Sequence, residues 1–337
     1  MANKKVLFIC GSLNQTTMMH KISQSFGDGY DFYFSPFYAD GYIEFFRKRG
    51  FLNFSILGGN FFKSTRNYLV ENNLNIDFQG KQNYYDLVFT GSDLIVPNNV
   101  RGSKLILVQE GMTDPENLMY YLVKYLNFPR WMASTSTTGL SNLYDYFCVA
   151  SEGYKDLFIK KGVPASKLIV TGIPNFDNTA QYLENEFEHK NYVMVATSDS
   201  RETFKYENRK KFIYECLDIA DGRQLLFKFH PNENFERATA EVKKYAPGAL
   251  IYTSGNTNHM IANCDTLVTK YSSVVYIGIA LKKEVYSWFD INELKRMTPI
   301  QNGGTSATNI AKIGEQLLDS NEFNSVEFEE KFSLGVI

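Results

Sequence analysis

The sequence predicts an α/β protein made of two doubly wound lobes. Three observations predict it. Short apolar runs such as Val6-Leu7-Phe8-Ile9-Cys10, Leu87-Val88-Phe89 and Leu267-Val268 alternate with helical stretches, an order that implies parallel sheets with helices on their faces. With 337 residues the chain exceeds what one hydrophobic core usually supports, so two domains of about 150 residues each are expected. The alternation also pauses at the acidic, polar run Asn185-Glu186-Phe187-Glu188-His189-Lys190-Asn191, which fits a linker. The domains are expected at residues 1–180 and 181–337.

Taken in order, Val6 to Cys10 is a buried strand. Its apolar run is too short for a signal peptide and stops at Gly11-Ser12-Leu13-Asn14, a turn entering a helix over 15–26. A second strand is expected near Asp31 to Phe34 and a helix from Tyr42 to Gly50. The aromatic run from Tyr30 to Tyr38 fits either core or a contact surface, and core is favoured because such runs most often fill cores. Phe51 to Leu57 is either a strand or an extended connection. Tyr85 to Thr90 and Lys104 to Val108 are strands whose carboxyl ends carry Gly91-Ser92-Asp93 and Gln109-Glu110-Gly111. Tyr144 to Ala150 is a strand, Ser151 opens a helix that Gly162-Val163-Pro164 ends, and Lys167 to Thr171 follows as a strand. The second lobe restarts with Tyr192 to Ala196 and the polar loop Thr197-Ser198-Asp199-Ser200-Arg201. Strands at Leu225 to Phe229, Leu250 to Thr253 and Glu284 to Trp288 then alternate with helices over 207–220 and 236–245.

Composition narrows the function classes. Hydrophobic residues at 44% and charged residues at 21% exclude a disordered or fibrous chain. A net charge of −2 provides no global basic field and argues against a general nucleic-acid binder. Cys10, Cys148, Cys216 and Cys264 are far apart without CxxC spacing, which points to a reduced compartment and no metal site. No run reaches the roughly 18 apolar residues of a membrane span, so a cytoplasmic location is expected.

Two segments carry the functional signal. Asp265 to Tyr276 is a short buried strand, a turn with Ser272 and Ser273, and a helix start, where unpaired amides and the helix dipole favour a phosphate. Upstream, Leu225-Leu226-Phe227-Lys228-Phe229 ends in His230-Pro231 at a loop. This ordered pair resembles the nucleotide-binding half of bacterial cell-surface polymer transferases: the CDP-glycerol glycerophosphotransferases and the related capsule, sialic-acid and Kdo transferases. The resemblance covers residues 85 to 300 and is sharpest in the C-terminal half. One departure is Lys270, where the glycerophosphotransferases usually have an acidic residue before Tyr-Ser-Ser.

The resemblance implies two Rossmann-like lobes in the GT-B arrangement, with the nucleotide-sugar donor on the C-terminal lobe and a glycan or lipid-linked acceptor against the N-terminal one. No cofactor or metal is implied, and peripheral association with the inner face of the cell membrane is. His230, Thr197, Ser198, Arg201, Ser272, Ser273 and Lys270 would hold the donor phosphates. An inverting transfer needs a base for the acceptor hydroxyl. Glu110, at a strand end before Gly111, is the first candidate, with Asp93 and Asp114 in reserve. Glycerophosphotransferases use histidine in the corresponding turn and sialic-acid transferases an acidic residue before Gly, so Glu110 favours transfer of a sugar. Two alternatives stay open besides glycerol phosphate transfer. Non-hydrolysing UDP-GlcNAc 2-epimerases have a Val-Glu-Ala-Gly turn similar to Val108-Gln109-Glu110-Gly111, though their Ser-Gly-Gly anion turn differs from Ser272-Ser273-Val274. A non-catalytic nucleotide-sugar-binding protein would keep His230 and the serines without needing Glu110.

Overall fold

The computed structural model describes residues 2–53, 55–202 and 206–319. The chain forms two compact units: one runs to Asp177 and resumes at Asn302, and the other is Asn178–Gln301.

The first unit holds a parallel sheet of β1 (Lys4–Cys10), β2 (Tyr30–Pro36), β3 (Leu87–Thr90), β4 (Lys104–Val108), β5 (Tyr146–Val149) and β6 (Leu168–Val170), in the order β2-β1-β3-β4-β5-β6. Around it lie α1 (Leu13–Ser23), α2 (Gly41–Lys48), α3 (Gly59–Glu71), α4 (Leu118–Leu126) and α5 (Glu152–Lys161). The central strands are apolar on both faces because helices cover both, and Val6 to Cys10 are fully buried. The aromatic content fills this core, with Phe8 stacked at 5.2 Å on Phe34 and 5.1 Å on Phe89. Local signals place the helix ends: Ser12 and Ser151 accept from the third amide of α1 and α5, and Gly162 ends α5 at φ 108°.

The second unit has β7 (Val193–Ala196), β8 (Leu225–Lys228), β9 (Leu250–Tyr252), β10 (Thr266–Thr269) and β11 (Glu284–Tyr286), all parallel, in the order β11-β10-β7-β8-β9. Its helices are α6 (Arg209–Ala220), α7 (Phe235–Tyr245), α8 (Thr257–Asn263), α9 (Val275–Ala280) and α10 (Ile291–Met297). Val195, Phe212, Ile213, Phe227 and Val242 form its core.

Three expectations need correction. The described residues of 51–57 form turns, neither a strand nor an extended connection. Residues 185–191 belong to the second unit and are not a linker: Phe187 packs edge-on against Tyr252 at 5.4 Å, and Tyr252 donates to Glu188 Oε1 at 2.7 Å. The second unit stops at Gln301, because the last helix, α11 (Ser306–Asp319), packs on α1 and β4 of the first. Its buried stripe of Ile310, Ile313, Gly314 and Leu317 finds its apolar partner there, and Ser306 N donates to Asp177 Oδ2 at 2.8 Å.

Candidate functional site

Each sheet reverses its order at one point, between β1 and β3 in the first unit and between β7 and β10 in the second. Ligands bind doubly wound sheets outside the carboxyl ends of the strands at such points. The polar residues picked from the sequence cluster at these two places.

In the first unit the β1–α1 turn and the end of β4 meet. Half-buried Glu110 accepts at Oε1 from Ser12 Oγ (2.7 Å) and Asn14 Nδ2 (3.3 Å), and at Oε2 from Gln15 Nε2 (2.5 Å). Asn175, beyond β6, holds Asn14 in turn, donating to its backbone oxygen and Oδ1 at 2.9 Å each. A Cβ on Gly11 would stand 1.8 Å from Gln15 Oε1, so a side chain there would displace the Gln15 amide. A carboxylate offers about four lone-pair sites, and the three bonds leave one on Oε2 for an incoming hydroxyl.

The reserve carboxylates are placed differently. Asp93 is completely buried and bridges the backbone of another loop, accepting from Gly139 N (2.9 Å) and Ser141 N (3.0 Å). Burial pushes its carboxyl above the ordinary range, against those two bonds. It is a loop fastener, out of reach of a substrate. Asp114 accepts from Thr135 Oγ1 at 2.9 Å, and its own backbone N–H donates to that hydroxyl at 2.8 Å.

In the second unit the loops after β7, β8 and β10 are tied by a buried charge chain that the sequence reading missed. Thr197 Oγ1 donates to Glu233 Oε2 and accepts from His230 N at 3.1 Å. Arg209 lies 2.5 Å from both Glu233 and Glu207, and Lys270 Nζ is 3.6 Å from Glu207. Lys270 is 3% exposed, and its ammonium sits about 4 Å from the ring centres of Phe212 (4.1 Å) and Trp288 (4.0 Å). Burial lowers its pKa, with Glu207 opposing. The sequence does not reveal this chain, because Glu233 reaches Arg209 from the loop after β8 and Lys270 reaches Glu207 from the end of β10.

This chain sorts the proposed phosphate ligands into engaged and free. The Thr197 hydroxyl is consumed by Glu233, Ser198 Oγ is paired with Ser200 Oγ at 2.9 Å, and Lys270 is enclosed. Arg201 forms a two-pronged pair with Glu241 of α7, at 2.8 and 2.9 Å. The guanidinium expected to meet a phosphate is thereby neutralised by a neighbouring helix. His230 remains: its side chain is 36% exposed, and its Nδ1 accepts from Asn232 N at 3.3 Å, which puts the proton of the neutral ring on Nε2. Asp199 Oδ2 lies 3.7 Å from Nδ1. Ser272 and Ser273 are half-buried, and among the described residues their hydroxyls make no hydrogen bond. Neither is the helix N-cap; that position is Val274, whose φ/ψ is already helical, and the two serine carbonyls instead accept from Val275 N and Tyr276 N.

A pocket of about 170 Å³ lies elsewhere in the first unit, at Tyr38, Asp40, Glu44, Gln79 and Asn99, and none of the residues above lines it.

No family model matches the chain, and no curated protein matches it in sequence. Solved structures do match its fold. The UDP-GlcNAc 2-epimerase of Neisseria meningitidis, bound to UDP-GlcNAc, aligns with a TM-score of 0.58 at 11% identity, over 94% of this chain and 100% of that one. HepE of Anabaena, in complex with UDP, gives 0.51 at 9% identity over 99% of both chains. The fold is GT-B-like. A third structure, the wall teichoic acid polymerase TagF soaked with CDPG, gives 0.50 at 12% identity over 95% of this chain and 90% of that one. At these identities the likeness extends to the fold, and the chemistry must be argued from residues. None of the described helices is long and apolar enough to cross a membrane.

Proposed function

We propose that the chain is a metal-independent inverting glycosyltransferase that moves a sugar from a CMP-, CDP- or UDP-linked donor to a surface glycan or lipid-linked acceptor. The observation that carries the reading is the set of unengaged donors at the second unit's switch point: His230 Nε2 and the hydroxyls of Ser272 and Ser273. Donors left unpaired beside strand ends suit phosphate oxygens. In the reaction the acceptor hydroxyl oxygen bonds to the anomeric carbon of the sugar. The carbon–oxygen bond to the donor phosphate breaks, and its electron pair leaves with the nucleotide. The hydroxyl proton passes to Glu110 Oε2, and His230 and the serines stabilise the departing phosphate.

Calorimetry with CMP, CDP and UDP tests the donor half. His230→Ala, and the pair Ser272→Ala with Ser273→Ala, should each weaken nucleotide binding by about 1–3 kcal/mol. Unchanged affinity in folded variants removes the assignment. Glu110→Gln should leave nucleotide binding nearly unchanged and lower turnover by roughly 10²–10⁴.

An epimerase reading is favoured by Glu110 itself, a carboxylate at the end of β4 in a turn that resembles Val-Glu-Ala-Gly. Incubation with UDP-GlcNAc in deuterated water and no acceptor decides between them. Solvent deuterium at C2 of the sugar would sink the transferase reading.

A further inference from the structure

Helix α2 is built inside out. Its one buried residue is Glu44, held by Arg47 (2.6 and 2.8 Å) and Gln79 (3.1 Å), whereas Tyr42, Phe45 and Phe46 are 58, 50 and 45% exposed. A surface helix ordinarily turns its apolar stripe to the core. Phe51, 64% exposed, extends the patch, and Phe46 packs edge-on against both Phe45 (5.7 Å) and Phe51 (6.0 Å). The Arg49 guanidinium lies 3.5 Å from the Phe45 ring centre. Phe78 ties α2 to α3, with Phe62 at 5.9 Å and Arg47 at 5.7 Å from its ring. Residues 41–66 carry five basic side chains, Arg47, Lys48, Arg49, Lys63 and Arg66, and one acidic one, Glu44. This stretch is therefore +4 in a chain of net −2. Lys48, Arg49, Lys63 and Arg66 are exposed.

We infer that this face docks on the surface of an anionic lipid bilayer. Aromatic rings settle at the headgroup level of a membrane, and neighbouring cations pair with anionic lipids. One surface then satisfies both halves of the patch. A second copy of the chain fits poorly, because a self-complementary contact would bring the +4 stretch against itself. The inference goes beyond the proposed transfer reaction, and its readout needs no nucleotide.

The test is co-sedimentation of the full chain with vesicles of phosphatidylcholine alone, and of phosphatidylcholine mixed with phosphatidylglycerol. The wild type should bind the mixed vesicles, ignore the neutral ones and detach as salt is raised. Two variants, Phe45→Ser with Phe46→Ser and Lys48→Glu with Arg49→Glu, should each lose roughly tenfold or more of the partitioning with melting temperature unchanged. Equal binding to both vesicle types, no binding, or variants that bind as the wild type does would overturn the inference. So would sedimentation velocity showing a wild-type dimer that the phenylalanine variant dissolves, because the patch would then be covered by a second copy.

Discussion

Glu110 stands out in the sequence as a carboxylate that ends an apolar strand before a glycine. Its donors do not. Ser12, Asn14 and Gln15 stand in a turn whose meeting with β4 depends on strand order, and Gln15 alone looks like any polar residue in a helix's first turn. Nor could the sequence show how Arg201 and Lys270 are paired, because Glu241 and Glu207 reach them from other elements. Another lysine went unnoticed. Lys161 is 3% exposed and donates to Ser136 O at 2.8 Å, and burial pushes its pKa down to about 8 against the pull of Glu116 and Asp114. In the unfolded chain a lysine titrates near its ordinary value of about 10.4. Between about 8 and 10.4 the unfolded state therefore binds more protons than the folded one, so stability should rise with pH across that window. Below it, both states are charged and the folded state bears the full cost of burying the ammonium. The gain on reaching about pH 10 should be of order 2–3 kcal/mol. Urea midpoints near pH 7 and pH 10 read it by difference: Lys161→Met should flatten the rise relative to wild type, and an identical pH profile in both proteins would refute it.

Among elements, the strands were the most legible, since apolar runs covered on both faces have a short and unmistakable pattern. The Ser-Ser turn was placed at the right strand end, yet α9 begins three residues beyond Ser272, and its cap is a valine in helical conformation. Propensity at a cap gave way to tertiary packing of Val275, Tyr276 and Ile277. Helix α2 was found, but its aromatic content says nothing about which face the fold turns inward. Helix α11 shows how tightly an element can be fitted without a sequence signal. A Cβ on Gly314 would meet Phe89 Cζ at 2.8 Å, Leu87 Cδ2 at 3.0 Å and Phe26 Cζ at 3.0 Å. Exchanging a helix-interior glycine for alanine normally stabilises by about 1 kcal/mol. Here the crowding should reverse the sign, because overpacking costs about 1–3 kcal/mol, so Gly314→Ala should lower the melting temperature and Gly314→Val should lower it further. A higher melting temperature in the alanine variant would show that α11 does not press on this sheet.

At the scale of the whole molecule, the number of units could be read from length and alternation, but their boundaries could not, because a chain that returns to its first core leaves no compositional mark where it crosses. The crossings fall after Asp177 and after Gln301, so the second unit is an insertion within the first. Residues 178–301 contain the whole β11-β10-β7-β8-β9 sheet, its core and the charge chain through Arg209, and they draw no strand from outside. Expressed alone, 178–301 should unfold cooperatively and, on the reading above, keep nucleotide affinity that His230→Ala weakens. The first unit should not survive the reciprocal cut. Residues 2–177 without 302–319 would expose the faces of α1 and β4 that Ile310, Ile313 and Leu317 cover, with the roughly 1.5–3 kcal/mol attached to burying each such side chain. Near-complete loss of that truncated unit's cooperative transition, restored when 302–319 are joined back through a short linker, is the expected result. A truncated unit that melts like the intact chain would mean that the sheet is stable without α11.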